Sequence, residues 1–212
     1  YMTHVFATEP LTVQAYITAI QSAARANRRG WIVDVGMNMG WYTILASSIL
    51  PPQFQVLSVE MQPKCAEISR CGLKLNGLDG KRVTMLNRYV SDKRGSPIMV
   101  PSHRCDTMAS PTAVGGRWPD GRLRSGQRLL NTSILAPVLS VQLGNHLLRH
   151  SGAEDRVAVV KIDTEGFEIG VLESLRPAWS MLEDVIFELQ PQAWKHHNVS
   201  LEQGVRTVRE LM

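Results

Sequence analysis

The segment WIVDVGMNMGWYT, residues 31–43, decides the fold. An apolar run, Trp31 to Val35, is interrupted only by Asp34, and it leads into Gly36 and Gly40 with Asn38 between them. The run reads as a buried strand and the residues after Gly40 as a helix. In an open α/β sheet the carboxyl end of such a strand borders a ligand crevice. The two glycines permit a tight turn and close approach of a ligand, and the amide N–H groups where the helix starts are expected to point at the same place. Asp34 would repel a pyrophosphate there. It suits a ligand with an ammonium group, such as the methionine moiety of S-adenosylmethionine.

Working outward, strands alternate with helices. Further apolar runs at Gln55 to Val59, Val83 to Leu86, Val157 to Ile162 and Val185 to Leu189 are expected to be strands. Helices are expected over Leu11 to Ala26, Trp41 to Leu50, Lys64 to Leu75 and Glu165 to Leu175. In the first helix, Leu11, Ala15, Ala19 and Ala23, with Ile20 beside them, mark the expected inner face. The alternation predicts an α/β fold, an open, doubly wound, mostly parallel sheet with helices on both sides. One domain over 1–212 is expected, carrying an irregular insertion over 91–140. That insertion is rich in glycine and proline and contains Arg117, Arg122, Arg124 and Arg128. It is either a solvated loop or a pocket wall that attracts an anionic acceptor.

Composition narrows the function classes. The chain has 212 residues, is 44% hydrophobic and 20% charged, and carries a formal charge of +4. This describes a globular domain with a mildly basic surface. Nucleic-acid binding is disfavoured, because no aromatic residues are interleaved with basic ones to stack bases. Cys65, Cys71 and Cys105 form no CxxC pair, so structural zinc and a disulfide framework are both disfavoured and free thiols are expected. No apolar run reaches the length of a membrane span. Two sequons, Asn131-Thr-Ser and Asn198-Val-Ser, permit glycosylation in a secretory compartment. The compartment is otherwise not legible.

Two nucleotide-binding turns compete for the segment 36–40. A dinucleotide turn requires GxGxxG, and Asn38 stands where its second glycine would admit the pyrophosphate. The dehydrogenase reading is therefore the weaker one. Glu60, twenty residues past Gly40, ends the second strand where a carboxylate can accept both ribose hydroxyls.

The motif DVGMNMGWYT resembles the DVGANxGxYT signature of the FkbM-type S-adenosylmethionine-dependent methyltransferases. YVSDKRG, residues 89–95, and VVKIDTEGFEIGVLESL, residues 159–175, are similar to two further blocks of that family in order and spacing. With VIFELQP, the resemblance covers most of residues 30–192. It implies a class I methyltransferase fold, S-adenosyl-L-methionine as cofactor, and a donor site comprising Asp34, Gly36, Asn38, Gly40, Thr43, Glu60 and Asp92. It also implies O-methylation of a hydroxyl on a sugar, glycolipid or secondary metabolite. A small-molecule or glycan acceptor is thus the expected partner. Met37 and Met39 depart from the family pattern, as do Gly144 and Asn145 where acids are usual. A complete fold of this class has seven strands. The chain ends at Met212 within a helix expected from near Leu201, so the expectation is a segment that lacks the last two strands.

For the chemistry, Asp163 at the end of the fourth strand is the expected base or acceptor-orienting group, with Glu165 and Glu188 beside it. Glu165 and Glu168 have an alternative role as first-turn acids of the following helix. No metal site is expected, although Asp163 and Glu188 have the oxygen chemistry to bridge a divalent ion. His196 and His197 are a further candidate base pair that loop histidines in solvent would equally explain. A noncatalytic donor-binding module and a nucleotide-dependent oxidoreductase remain the alternatives.

Overall fold

The computed structural model describes residues 9–26, 29–78, 82–92, 97–105 and 135–211. Five strands form one parallel sheet: β1 (Gly30–Val35), β2 (Phe54–Glu60), β3 (Val83–Asn87), β8 (Arg156–Ile162) and β9 (Leu182–Phe187). Their order is β3-β2-β1-β8-β9, with every pairing parallel. The order reverses between β1 and β8, which opens a crevice at their carboxyl ends.

The strands alternate their side chains between two cores. Trp31, Val33 and Val35 of β1, with Val160 and Ile162 of β8, pack against α4 (Leu143–His150), α5 (Glu168–Leu175) and α7 (Leu201–Leu211). Ile32 and Val159 face the opposite side, against α1 (Pro10–Arg25) and α2 (Trp41–Ile49). The remaining long helix, α3 (Pro63–Leu75), buries Cys65, Ala66, Ser69 and Leu73, and the single-turn α6 (Pro191–Trp194) precedes α7. Pro10 and Pro63 each open their helices, where a missing N–H costs nothing.

Helix α1 is rotated from its expected face. Val13, Tyr16, Ala19, Ile20 and Ala23 are buried, whereas Leu11 is 79% exposed and Ala15 also faces solvent. Tyr16 sets this orientation, because its ring packs edge-on against Tyr42 and its hydroxyl donates to the Tyr42 carbonyl at 3.4 Å.

The described ends of the insertion adjoin short strands. Strands β4 (Tyr89–Val90) and β7 (Ser140–Val141) pair in parallel, and β5 (Ile98–Pro101) pairs antiparallel with β6 (Leu135–Val138). Arg117, Arg122, Arg124, Arg128 and Asn131 lie outside the described residues. Cys65 and Cys105 form a disulfide, which corrects the expectation of free thiols. Folding brings together two cysteines separated by 40 positions, a pairing that spacing alone does not encode. Cys71 is free and exposed.

Candidate active site

The turn after β1 is held from within. The Gly36 and Met37 N–H groups both donate to the Val59 carbonyl, at 2.9 and 3.2 Å, and the Gly40 N–H donates to Met37 O at 2.8 Å. Asn38 N–H donates to Glu60 Oε2 at 3.0 Å, and Met39 N–H to Asn38 Oδ1 at 2.7 Å. Amides 36, 37, 38, 39 and 40 are therefore engaged by the protein. Asn38 adopts φ 50°, a left-handed conformation that asparagine tolerates better than most residues. A side chain at Gly36, where φ is 77°, would run into the Asp163 carbonyl oxygen, so the glycine lets the β1 and β8 loops meet. At Gly40 the space is taken by the Ser69 side chain of α3.

A cleft of about 1070 Å3, counted to its open mouth, lies at the reversal point. Gly36, Asn38, Glu60, Asp163, Glu165 and Glu188 line it, together with Glu9, Tyr42, Arg88 and Lys161. Asp34 and Thr43 lie fully buried away from the cleft wall, and Gly40 and Asp92 are also off it. The sheet register explains Asp34: it stands beside Ser58 on one side and Lys161 on the other. Thr43 Oγ1 donates to Asp34 Oδ2 at 2.7 Å and lies 2.7 Å from Ser58 Oγ. The other Asp34 oxygen is buried and has no hydrogen-bond partner among the described residues. Burial raises the Asp34 pKa, and the nearby Lys161 ammonium opposes that shift.

Lys161 is the residue that sequence reasoning missed. Its Nζ lies 2.9 Å from Asp163 Oδ2 and 4.4 Å from the centre of the Tyr42 ring, with the side chain only 4% exposed. Burial pulls its pKa down, but the carboxylates of Asp163 and Asp34 more than reverse this and leave it raised. A lone charge in the apolar run VAVVKI, on the same strand face as Asp163, was the available signal. Tyr42 donates its hydroxyl to Glu9 Oε2 at 3.0 Å, which ties the start of α1 to the same end of the cleft. Burial raises the Tyr42 pKa, and Glu9 adds to the shift.

Residues 163–167 form a loop, so α5 begins three residues later than expected. Glu165 has φ 54° and Gly166 φ 101°, neither of which a helix accommodates. Glu165 is thus not a first-turn helical acid; its carboxylate accepts from Gln190 Nε2 at 3.0 Å. Glu168 clamps the loop: Oε1 accepts the Gly166 N–H at 2.7 Å and Oε2 accepts the Trp194 indole N–H at 2.9 Å. Glu188 lies one residue beyond β9, with its N–H donating to Ile162 O at 3.1 Å. Burial raises the pKa of Glu165, and a smaller contribution comes from Asp163. Glu188 is raised by burial and then by Asp163. His197 packs edge-on against Phe167, a cleft residue, at 5.0 Å between ring centres. Among the described residues no group of three or more His, Cys, Asp or Glu side chains could hold a metal ion.

Residues 34–204 match the model of the methyltransferase FkbM domain, and the chain belongs to that family. Among solved structures, cofactor-bound Rv0187 from MTB is 29% identical over 34% of this chain and 33% of its own, with a TM-score of 0.30. The chain therefore spans about a third of that protein's length. The O-methyltransferase TomG from Streptomyces achromogenes, in complex with SAM, is 14% identical over 93% of this chain and 66% of its own, with a TM-score of 0.48. Precorrin-6y C5,15-methyltransferase from Geobacter metallireducens is 12% identical over 93% and 70%, with a TM-score of 0.45. No curated protein matches the chain.

The cofactor of this family is S-adenosylmethionine, and the cleft fits it. The Glu60 carboxylate accepts the Asn38 N–H on Oε2 at 3.0 Å and the Gln62 N–H on Oε1 at 2.7 Å. Each oxygen keeps a lone pair for a ribose hydroxyl. Val35, Val59, Met61 and Val90 supply the apolar wall that a purine ring requires.

Proposed function

We propose that this chain methylates a hydroxyl group of a sugar, glycolipid or secondary metabolite, using S-adenosylmethionine bound in the cleft beside Glu60. The observation that carries the reading is the buried Lys161 ammonium pairing with Asp163 on the cleft wall. When bound, S-adenosylmethionine supplies a methyl group already activated on a sulfonium. The protein then has two tasks, to hold the acceptor oxygen in line and to accept one proton. Lys161 fixes one Asp163 oxygen and leaves the other to orient the acceptor hydroxyl and take its proton. Glu165 and Glu188 stand beside Asp163 as alternative proton acceptors, each more basic in its ionised form because burial raises its pKa.

The charge of the wall bears on the acceptor. Glu9, Glu60, Asp163, Glu165 and Glu188 face the cleft against Arg88 and Lys161. This balance favours a cationic donor and a neutral acceptor. An anionic acceptor would draw on the arginines of 117–128, which are outside the described residues. Titration calorimetry tests the donor assignment: S-adenosylmethionine binds and NAD does not. Binding of NAD in preference would return the turn to an oxidoreductase. Donor binding without methyl transfer to any of a panel of sugars, glycolipids and hydroxylated metabolites would favour a noncatalytic module.

A further inference from the structure

The sequon Asn198-Val199-Ser200 lies outside the cleft, in the turn between the 3-10 segment Lys195–His197 and α7. Its three residues divide their duties. Val199 packs against the main core, and its N–H donates to Trp194 O at 3.1 Å, so the middle of the tripeptide is anchored. Asn198 and Ser200 face solvent. Asn198 has φ 59° and ψ 29°, a left-handed turn conformation that asparagine tolerates, and it is exposed. Ser200 Oγ accepts the Gln203 N–H at 3.1 Å and caps α7. A bulky group on Asn198 would therefore displace nothing that the fold needs.

A second observation bears on whether such a group would ever be added. The disulfide between Cys65 and Cys105 persists in an oxidising compartment and is rare where cellular thiols are kept reduced. In eukaryotic cells, the compartment that closes disulfides also attaches glycans to Asn-X-Ser/Thr.

We propose that Asn198 is an N-glycosylation site, occupied in the same oxidising compartment that closes the Cys65–Cys105 disulfide. The co-reactant is an oligosaccharide carried on a lipid diphosphate. The Asn198 side-chain nitrogen forms a bond to the anomeric carbon while the bond from that carbon to the diphosphate oxygen breaks. The lipid diphosphate departs with the bonding pair, and the amide gives one proton to a carboxylate of the transferase. The donor cleft takes no part, so the inference stands independently of the acceptor chemistry.

The test directs the full chain through the secretory pathway of cultured eukaryotic cells. Enzymatic release of N-glycans in 18O-water is followed by peptide mapping without reduction. The expected result is an 18O-labelled aspartate at position 198 in a chain that carries the Cys65–Cys105 linkage. Asn198→Gln keeps the Ser200 cap and should lose one glycan, whereas Ser200→Thr keeps both cap and sequon and should retain it. An unlabelled Asn198 in the secreted, disulfide-bonded chain overturns the proposal. A glycan at Asn198 in a chain whose Cys65 and Cys105 are free thiols overturns its claim of a shared compartment.

Discussion

Lys161 Nζ lies 2.9 Å from Asp163 Oδ2, two residues along the chain and on the same face of the sheet. The ammonium is almost fully buried while the carboxylate is 27% exposed, so the pair joins the polar interior to the open cleft. Removing either partner should therefore have a different effect.

Asp163→Asn keeps the side-chain shape and removes its basicity. Turnover with a hydroxyl acceptor should fall by roughly 10² to 10⁴, the usual scale of general-base assistance, with donor affinity nearly unchanged. Loss of donor binding in a calorimetric titration would make Asp163 a cofactor ligand instead. Lys161→Met should act through stability, because it leaves Asp34 and Asp163 near one another without their shared cation. The expected loss is about 3 kcal/mol, read from chemical denaturation.

Donor affinity should depend on pH through Glu60. Burial pushes its pKa up to about 7, against the pull of the Gln62 and Asn38 amides. Ribose hydroxyls donate to the ionised form, so affinity should rise from pH 6 to pH 8 by about tenfold and then level off. The sign for stability is opposite. Between the ordinary value of 4.5 and about 7 the native state holds the extra proton, so this group's contribution to stability falls as pH rises through that window. Glu60→Gln should flatten the binding profile, and a Gln variant that keeps the full slope would assign the dependence to another group.

Gly36→Val should destabilise the fold as well as the site. The φ of 77° disfavours a branched residue, and the new Cβ would meet the Asp163 carbonyl. A loss of about 3 kcal/mol or more is expected, a fall in Tm of about 6–12 °C for a chain of this size. A normal melting curve would show that the β1 and β8 loops can separate at no cost.

Cys105→Ser should lower stability by about 2–4 kcal/mol through the unfolded chain that the disulfide restrains. Reductant should reproduce the shift in the parent protein and leave the variant unchanged. Equal sensitivity of both to reductant would mean that the linkage does not form in solution.

Much of the sheet was legible because its strands are near-continuous apolar runs, the pattern of parallel strands buried on both faces. The positions of Glu60 and Asp163 at strand ends followed from the same runs. Asp34 was harder to place. As the only charge in its run it looked like a ligand-facing acid, yet cross-strand register puts Ser58 and Lys161 beside it and buries all three. Periodicity along one strand carries no information on that register. Helix α1 shows the same limit, since alanines satisfied the helical period while Tyr16 and Val13 determined the buried face. Glu168 was legible as a first-turn acid, but its indole partner is 26 residues away and only the fold joins them.

The bond from Trp194 to Glu168 has a consequence for the order in which the protein matures. The loop carrying Asp163 and Glu165 is bounded on one side by β8, but its far side rests on Trp194, and Trp194 in turn packs against Gly204 of α7, where any larger residue would overlap the indole ring. A ribosome delivers the Gly36 turn and Glu60 long before it delivers Trp194 and Gly204, and a domain folds largely as a unit. Asp163 is held by Lys161 and by the Val35 carbonyl, whereas the turn through Glu165 and Gly166 gains its outer support only when α7 docks. During synthesis, the cleft should be completed only after Gly204 has emerged.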